Sequence, residues 1–184
     1  MAKGVDRFRA ATAHLDLAIE SAPESTHTAQ GAADAVGSPV GAIVKSLVFL
    51  ADGEPLLVLV SGPNRVNVDA LGERLGVILA RADADTVKSA TGFSIGGVPP
   101  FGHPTPLRCV MDEDLLHQDV VWAAAGSAQA VFPLIHGVWS NFPGPRSCRS
   151  SKTRSRVPTS LMSSLRINMI DMIDVIDTGD SRAL

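Results

Sequence analysis

With 184 residues and a formal net charge of −3, the chain is the size of one domain and long enough to bury a core without disulfide or metal staples. That charge gives no global basic field, so any contact with nucleic acid is expected to be local, at a chain end or a cleft. Hydrophobic residues make up 45% and aromatic residues only 4%, with no Tyr; the core must be built from Val, Leu, Ile and Ala, a mix that suits a small α/β domain.

In chain order, residues 6–22 place Phe8, Ala11, Leu15, Ala18 and Ile19 at helical spacing before Pro23, which predicts an amphipathic first helix. A shorter helix is predicted over 28–36, capped by Thr26 or Thr28 and closed by Gly37. Residues 43–50 and 56–60 are apolar runs separated by a turn with an Asp52-Gly53 pair, which predicts a hairpin. Asn67 is expected to cap a helix over 68–75 that ends at Gly76, and 77–80 reads as a short strand. Asp83 is expected to cap a helix that Gly92 stops. After a Gly/Pro-rich loop, 107–111 and 120–123 resume strand character, and 124–127 reads as a turn into a last strand over 128–134.

Beyond Leu134 the character changes. Pro143, Pro145 and Pro158 punctuate a stretch with Arg146, Arg149, Lys152, Arg154, Arg156 and seven serines between Ser147 and Ser164. Such a segment does not build a packed core, so 135–184 is expected to be an appended, largely disordered tail, with 165–176 as a weak helix within it. An Arg/Ser tail would also serve as a nonspecific RNA-binding arm.

The oddity of the first hairpin strand is Lys45, an ammonium in a ladder of Ile, Val, Leu and Phe. It is either an edge-strand lysine that faces water or a fixed positive charge for a phosphate or a developing oxyanion. Residues 92–103 hold Gly92, Gly96, Gly97, Pro99, Pro100 and Gly102. Glycines permit close backbone approach and prolines add stiffness, so the amides of Gly96, Gly97 and Val98 are candidates to hold an ester carbonyl; an ordinary surface loop is the alternative. The loop is neither a Walker nor a Rossmann loop.

Asp112, Glu113 and Asp114 form an acidic turn expected to be solvated, with a carboxylate there able to orient Lys45. Cys109 reads as a small buried hydrophobe, and Cys109 with Cys148 makes neither a disulfide framework nor a metal cluster, which fits a reducing cytoplasmic setting. His14, His27, His103, His117 and His136 show no metal-ligand spacing, no triad assembles, and no cofactor or metal is expected. The N-terminus lacks a signal-peptide run, and no apolar stretch nears the roughly 20 residues of a membrane span, so a soluble protein without membrane contact is expected.

Three segments in register resemble the YbaK/ProRS-associated aminoacyl-tRNA editing domains: Val40-Gly41-Ala42-Ile43-Val44-Lys45-Ser46-Leu47-Val48-Phe49, the pattern Gly96-x-x-x-Pro100-x-x-His103 with Pro100-Phe101-Gly102 inside it, and Trp122-Ala123-Ala124-Ala125-Gly126-Ser127 followed by Val131-Phe132. The resemblance covers about 6–134, we take 1–134 as the editing domain, and the resemblance favours the functional reading of Lys45. It implies an α+β fold with a twisted, mixed, barrel-like sheet and flanking helices. It also implies hydrolysis of the ester in mischarged tRNA, most often tRNA for proline carrying Cys or Ala.

By that resemblance Lys45 is the catalytic residue, contacting the terminal adenosine's phosphate or the ester, and Gly96, Gly97, Val98, Pro100, Phe101, His103, Gly126 and Ser127 bind substrate. The implied partners are the aminoacylated acceptor end of tRNA and a prolyl-tRNA synthetase. A protein nucleophile is not part of the family's chemistry, which relies on the substrate's own groups or a positioned water. Some relatives carry a His after the Gly-Ser turn where this chain has Ala128-Gln129-Ala130-Val131, which favours Cys-type over Ala-type editing. The alternative function is a non-catalytic binder of aminoacyl or nucleotide ends.

Overall fold

The computed structural model describes residues 3–21, 28–135 and, as backbone, 173–176. In chain order these are α1 (Lys3–Ala11), β1 (Glu20–Ser21), α2 (Ala29–Val36), β2 (Val44–Ala51), β3 (Glu54–Ser61), α3 (Val68–Leu75), β4 (Leu79–Arg81), α4 (Ala84–Thr91), β5 (Arg108–Asp112), β6 (Val120–Ser127), β7 (Ala130–Ile135) and β8 (Ile173–Ile176). The strands form a three-stranded sheet, β1-β7-β6, and a five-stranded sheet, β4-β2-β3-β5-β8. The larger sheet is mixed: β2 runs antiparallel to β3 and β4, whereas β3, β5 and β8 are parallel. The fold is thus α+β, but the sheet is not closed as a barrel; among the described residues the two sheets are joined by a parallel bridge between Ile43 and Trp122.

The alternation of side chains along β3 explains why its apolar run is continuous. Leu57 and Leu59 point into a core shared with Ala123, Ala125 and Phe132 of the smaller sheet. Leu56, Val58 and Val60 point the other way, into a second core that Leu71 of α3 closes. Both faces of the strand are therefore buried, and no polar position interrupts it.

The three predicted helix caps are in place. Thr28, Asn67 and Asp83 accept from the amides of Gly31, Ala70 and Thr86, and Gly37, Gly76 and Gly92 end the same helices in the left-handed conformation. The hairpin turn is Asp52-Gly53, both at positive φ, 50° and 92°, which suits a two-residue connection. Two helix expectations are corrected. The first helix stops at Ala11, and Asp16 at φ 48° redirects the chain so that Leu15, Leu17 and Ile19 pack on the main core outside any α-helix. Within the expected C-terminal helix, residues 173–176 are instead a strand on the edge of β5. The rest of the expected tail lies outside the described residues.

Candidate active site

Lys45 is placed by the hairpin. Its partner across the ladder is Val60, on the face of the five-stranded sheet that α3 covers. β4 pairs with β2 only at Phe49, Leu50 and Ala51, so the preceding stretch of β2 borders an open edge. A cleft of about 540 Å³ lies there, with Lys45, Ser46, Asn64, Arg65, Arg81 and Val98 in its lining. Three of these are cations, and no carboxylate lines the cleft among the described residues. A chain of net charge −3 thus concentrates positive charge at one concave site, the arrangement that attracts an anionic ligand.

The Lys45 side chain is half-buried, and its Nζ donates to the backbone carbonyl of Asn64. Burial holds its pKa below the ordinary lysine value; the neighbouring Arg65 charge pushes the same way, and the Asp112 carboxylate opposes both. Ser46 Oγ is buried at the cleft wall with no hydrogen-bond partner among the described residues.

The glycine-rich loop is rigidly built. Thr91 Oγ1 donates to the Val87 carbonyl at 2.7 Å and accepts from the Phe93 amide at 3.0 Å, which fixes the exit from α4. Phe93 is buried, and Val98 is seated in the main core while also lining the cleft. Residues 124–127, expected as a turn, are instead the end of β6, with a register shift between Ala124 and Ser127 and the turn itself at Ala128-Gln129. Gly97 lies against that strand end: a Cβ there would sit 2.6 Å from Ser127 Cα and 2.8 Å from its nitrogen. Only glycine permits that approach. Gly126, at φ 92°, lies just as close to α1, since a Cβ on it would fall 2.3 Å from the Gly4 carbonyl oxygen. The loop, the end of β6 at Gly126-Ser127 and the start of α1 are therefore packed as one unit.

The predicted residues separate into groups. Lys45 and Val98 border the cleft. Gly96, Gly97, Gly126 and Ser127 are brought together as loop against the end of β6, Gly96 exposed and Gly97 buried. The Gly97 amide is committed to the Ser94 carbonyl at 2.9 Å, so the expected row of three ligand-facing amides loses its middle member. Pro100 is buried, and Phe101 packs with Phe8 and Phe132 at ring separations of 5.9 and 5.6 Å. His103 shares a nitrogen–oxygen contact of 2.9 Å with the Pro99 carbonyl. A carbonyl oxygen only accepts, so His103 Nε2 carries the proton. Its ring meets Phe93 edge-on, and burial keeps its pKa below the usual value against that hydrogen bond. Phe101 and His103 brace the loop from the core side.

The acidic turn expected in solvent is corrected at one residue: Asp112 is fully buried, at 0% exposure, whereas Asp114 is exposed. Sequence reasoning passed over Asn64, Arg65 and Arg81. The first two were within reach of the hairpin register, because Lys45 opposite Val60 sets the turn after β3 beside it. Arg81 joins the site through the pairing of β4 with β2, for which the sequence carries no local signal. No group of three or more His, Cys, Asp or Glu side chains able to hold a metal occurs among the described residues.

Residues 23–138 match the family model described as an aminoacyl-tRNA editing domain. The proline–tRNA ligase of Lactobacillus gasseri is 32% identical over 114 residues, which are 61% of this chain and 20% of that enzyme. This chain therefore spans about a fifth of the ligase it resembles. The Bacillus subtilis protein YwhH is 28% identical across 64% of this chain and 76% of its own length. Among solved structures, one described as a proposed trans-editing enzyme for prolyl tRNA synthetase is 42% identical with a TM-score of 0.70, covering 75% of this chain and 90% of that one. The match over most of the described fold, with Lys45, the Gly96 loop and the Gly126-Ser127 end of β6 all inside it, shows that the chain belongs to the aminoacyl-tRNA editing domain family.

Proposed function

We propose that the protein is a trans-acting deacylase that hydrolyses the ester joining an amino acid to the terminal ribose of mischarged tRNA, with tRNA for proline carrying Cys, or else Ala, as substrate. The observation that carries this reading is the cation-lined cleft around Lys45 in a member of an editing family. Likeness to a trans-editing enzyme over 90% of that structure's length supports action in trans.

In the proposed reaction a water attacks the ester carbonyl carbon, and the carbonyl oxygen takes on negative charge that Lys45 stabilises across the cleft. Collapse breaks the bond to the ribose oxygen, which takes up the proton that the attacking water gives up as the amino acid leaves. Ile95 and Val98 of the glycine-rich loop form the wall against which the aminoacyl end rests, and Gly126 and Ser127 support that loop from behind Gly97. Cys is favoured over Ala because no His follows Ser127, where Ala128, Gln129, Ala130 and Val131 stand.

Binding without turnover is the second reading. It draws on one observation: among the described residues, no Asp, Glu, His or Cys lines the cleft to serve as a general base. A panel of Cys-, Ala- and Ser-charged tRNA for proline separates the two. Release of amino acid faster than in buffer, greatest for Cys, is the expected result; tight binding with no release from any member of the panel would establish the binder instead.

A further inference from the structure

Asp112 is a buried carboxylate at the end of β5, with no part in the chemistry above. β5 runs parallel to β3 with Met111 opposite Leu59, which sets Asp112 beside the last residues of β3. Its Oδ2 accepts from the Ser61 amide at 3.0 Å and from Asn64 Nδ2 at 2.8 Å, and its Oδ1 accepts from the Asp114 amide at 3.0 Å. Asn64 Nδ2 also donates to Asp114 Oδ2 at 2.7 Å. The Asn64 side chain therefore ties the turn after β3 to two carboxylates, while the carbonyl of the same residue accepts from Lys45 Nζ. Removing a carboxylate from water costs several kcal/mol unless donors surround it, and two of these three donors come from the turn that holds Lys45.

We propose that Asp112 and Asn64 are positioning residues for Lys45: the buried carboxylate locks the Asn64 turn, and the Asn64 carbonyl fixes the ammonium at the cleft. The inference rests on the deacylase reading for its consequence in rate, and on the geometry alone for the placement of Lys45. The groups around Lys45 are then Arg65 in the same turn and Asp112 across β3, whose charges act on it in opposite senses. Asp114 acts only through Asn64.

The test uses Asn64→Ala, which removes the tether but keeps the carbonyl, with Asp112→Asn as the second variant. Single-turnover deacylation is expected to fall about tenfold in Asn64→Ala, the scale of a modest misplacement. It should fall no further when the change is made in Lys45→Ala, since groups acting as one unit are not additive. Equal losses in both backgrounds would show a general loosening and overturn the proposal.

A second readout is independent of activity. Lysines are dimethylated with ¹³C-formaldehyde, and the Lys45 signal is identified by its loss in Lys45→Ala. In Asn64→Ala and in Asp112→Asn that signal is expected to move toward those of the other lysines. An unmoved signal in Asn64→Ala sinks the proposal even if the protein is an active deacylase, and one unmoved in a folded Asp112→Asn removes Asp112 from it. A signal that moves in a protein that deacylates no tRNA leaves the positioning intact and defeats the deacylase reading.

Discussion

His103 and Lys45 show how burial sets the chemistry of single residues here. Lys45 is partly desolvated and meets a carbonyl rather than a counter-ion, a state that suits a charge meant for a ligand. Burial disfavours the charged form of His103, whose Nε2 proton is directed at the Pro99 carbonyl. In the unfolded chain the ring takes up a proton as pH falls through about 6.5, whereas in the folded protein it resists until a lower pH. Its contribution to stability is therefore fully present above 6.5 and is lost as pH falls toward the folded value. His103→Gln is expected to flatten the fall in melting temperature between about pH 7 and pH 5. An unchanged acid slope in that variant would show that the ring carries no such linkage.

At the scale of elements, the loop and the end of β6 depend on two glycines. Gly97→Ala drives a methyl group into the Ser127 backbone, and Gly126→Ala combines a positive φ with a clash on Gly4. Each is expected to cost about 1–3 kcal/mol, read by denaturant unfolding, and Gly126→Ala should also loosen α1, whose first turn it touches. A loss below about 0.5 kcal/mol, the range of ordinary surface changes, would contradict the packing. These elements were partly legible in advance. Caps and turns were, because Thr28, Asn67 and Asp83 supply acceptors and Gly37, Gly76 and Gly92 supply left-handed stops within one helix length. The two misread helices share one cause. Leu15-Asp16-Leu17-Ala18-Ile19 and Ile173-Asp174-Val175 alternate with period two, which is the spacing of extended chain rather than of a helix. Of the cleft lining, Lys45 and Val98 were legible in the sequence, but Arg81 and the burial of Asp112 depend on strand pairings that join distant segments.

For the whole molecule, two sheets share one core while the larger sheet carries a second beneath α3. The cleft lies at the margin of the larger sheet, with a loop from the shared core as its far wall. We propose that residues 1–134 are the editing domain, and both cores are built from within that range. A chain ended after Ile135 is accordingly expected to melt cooperatively, with some loss of stability because β5 loses its pairing with β8. A broad, non-cooperative melt would show that the domain depends on residues beyond Ile135. The most direct measurement of the central claim is single-turnover release of Cys from mischarged tRNA for proline by the wild type and by Lys45→Ala. Loss of a preorganised charge at a developing oxyanion typically costs about 10²–10³ in rate, so the wild type should outpace buffer and the variant should lose most of that gain; equal rates for the two proteins would contradict the role of Lys45.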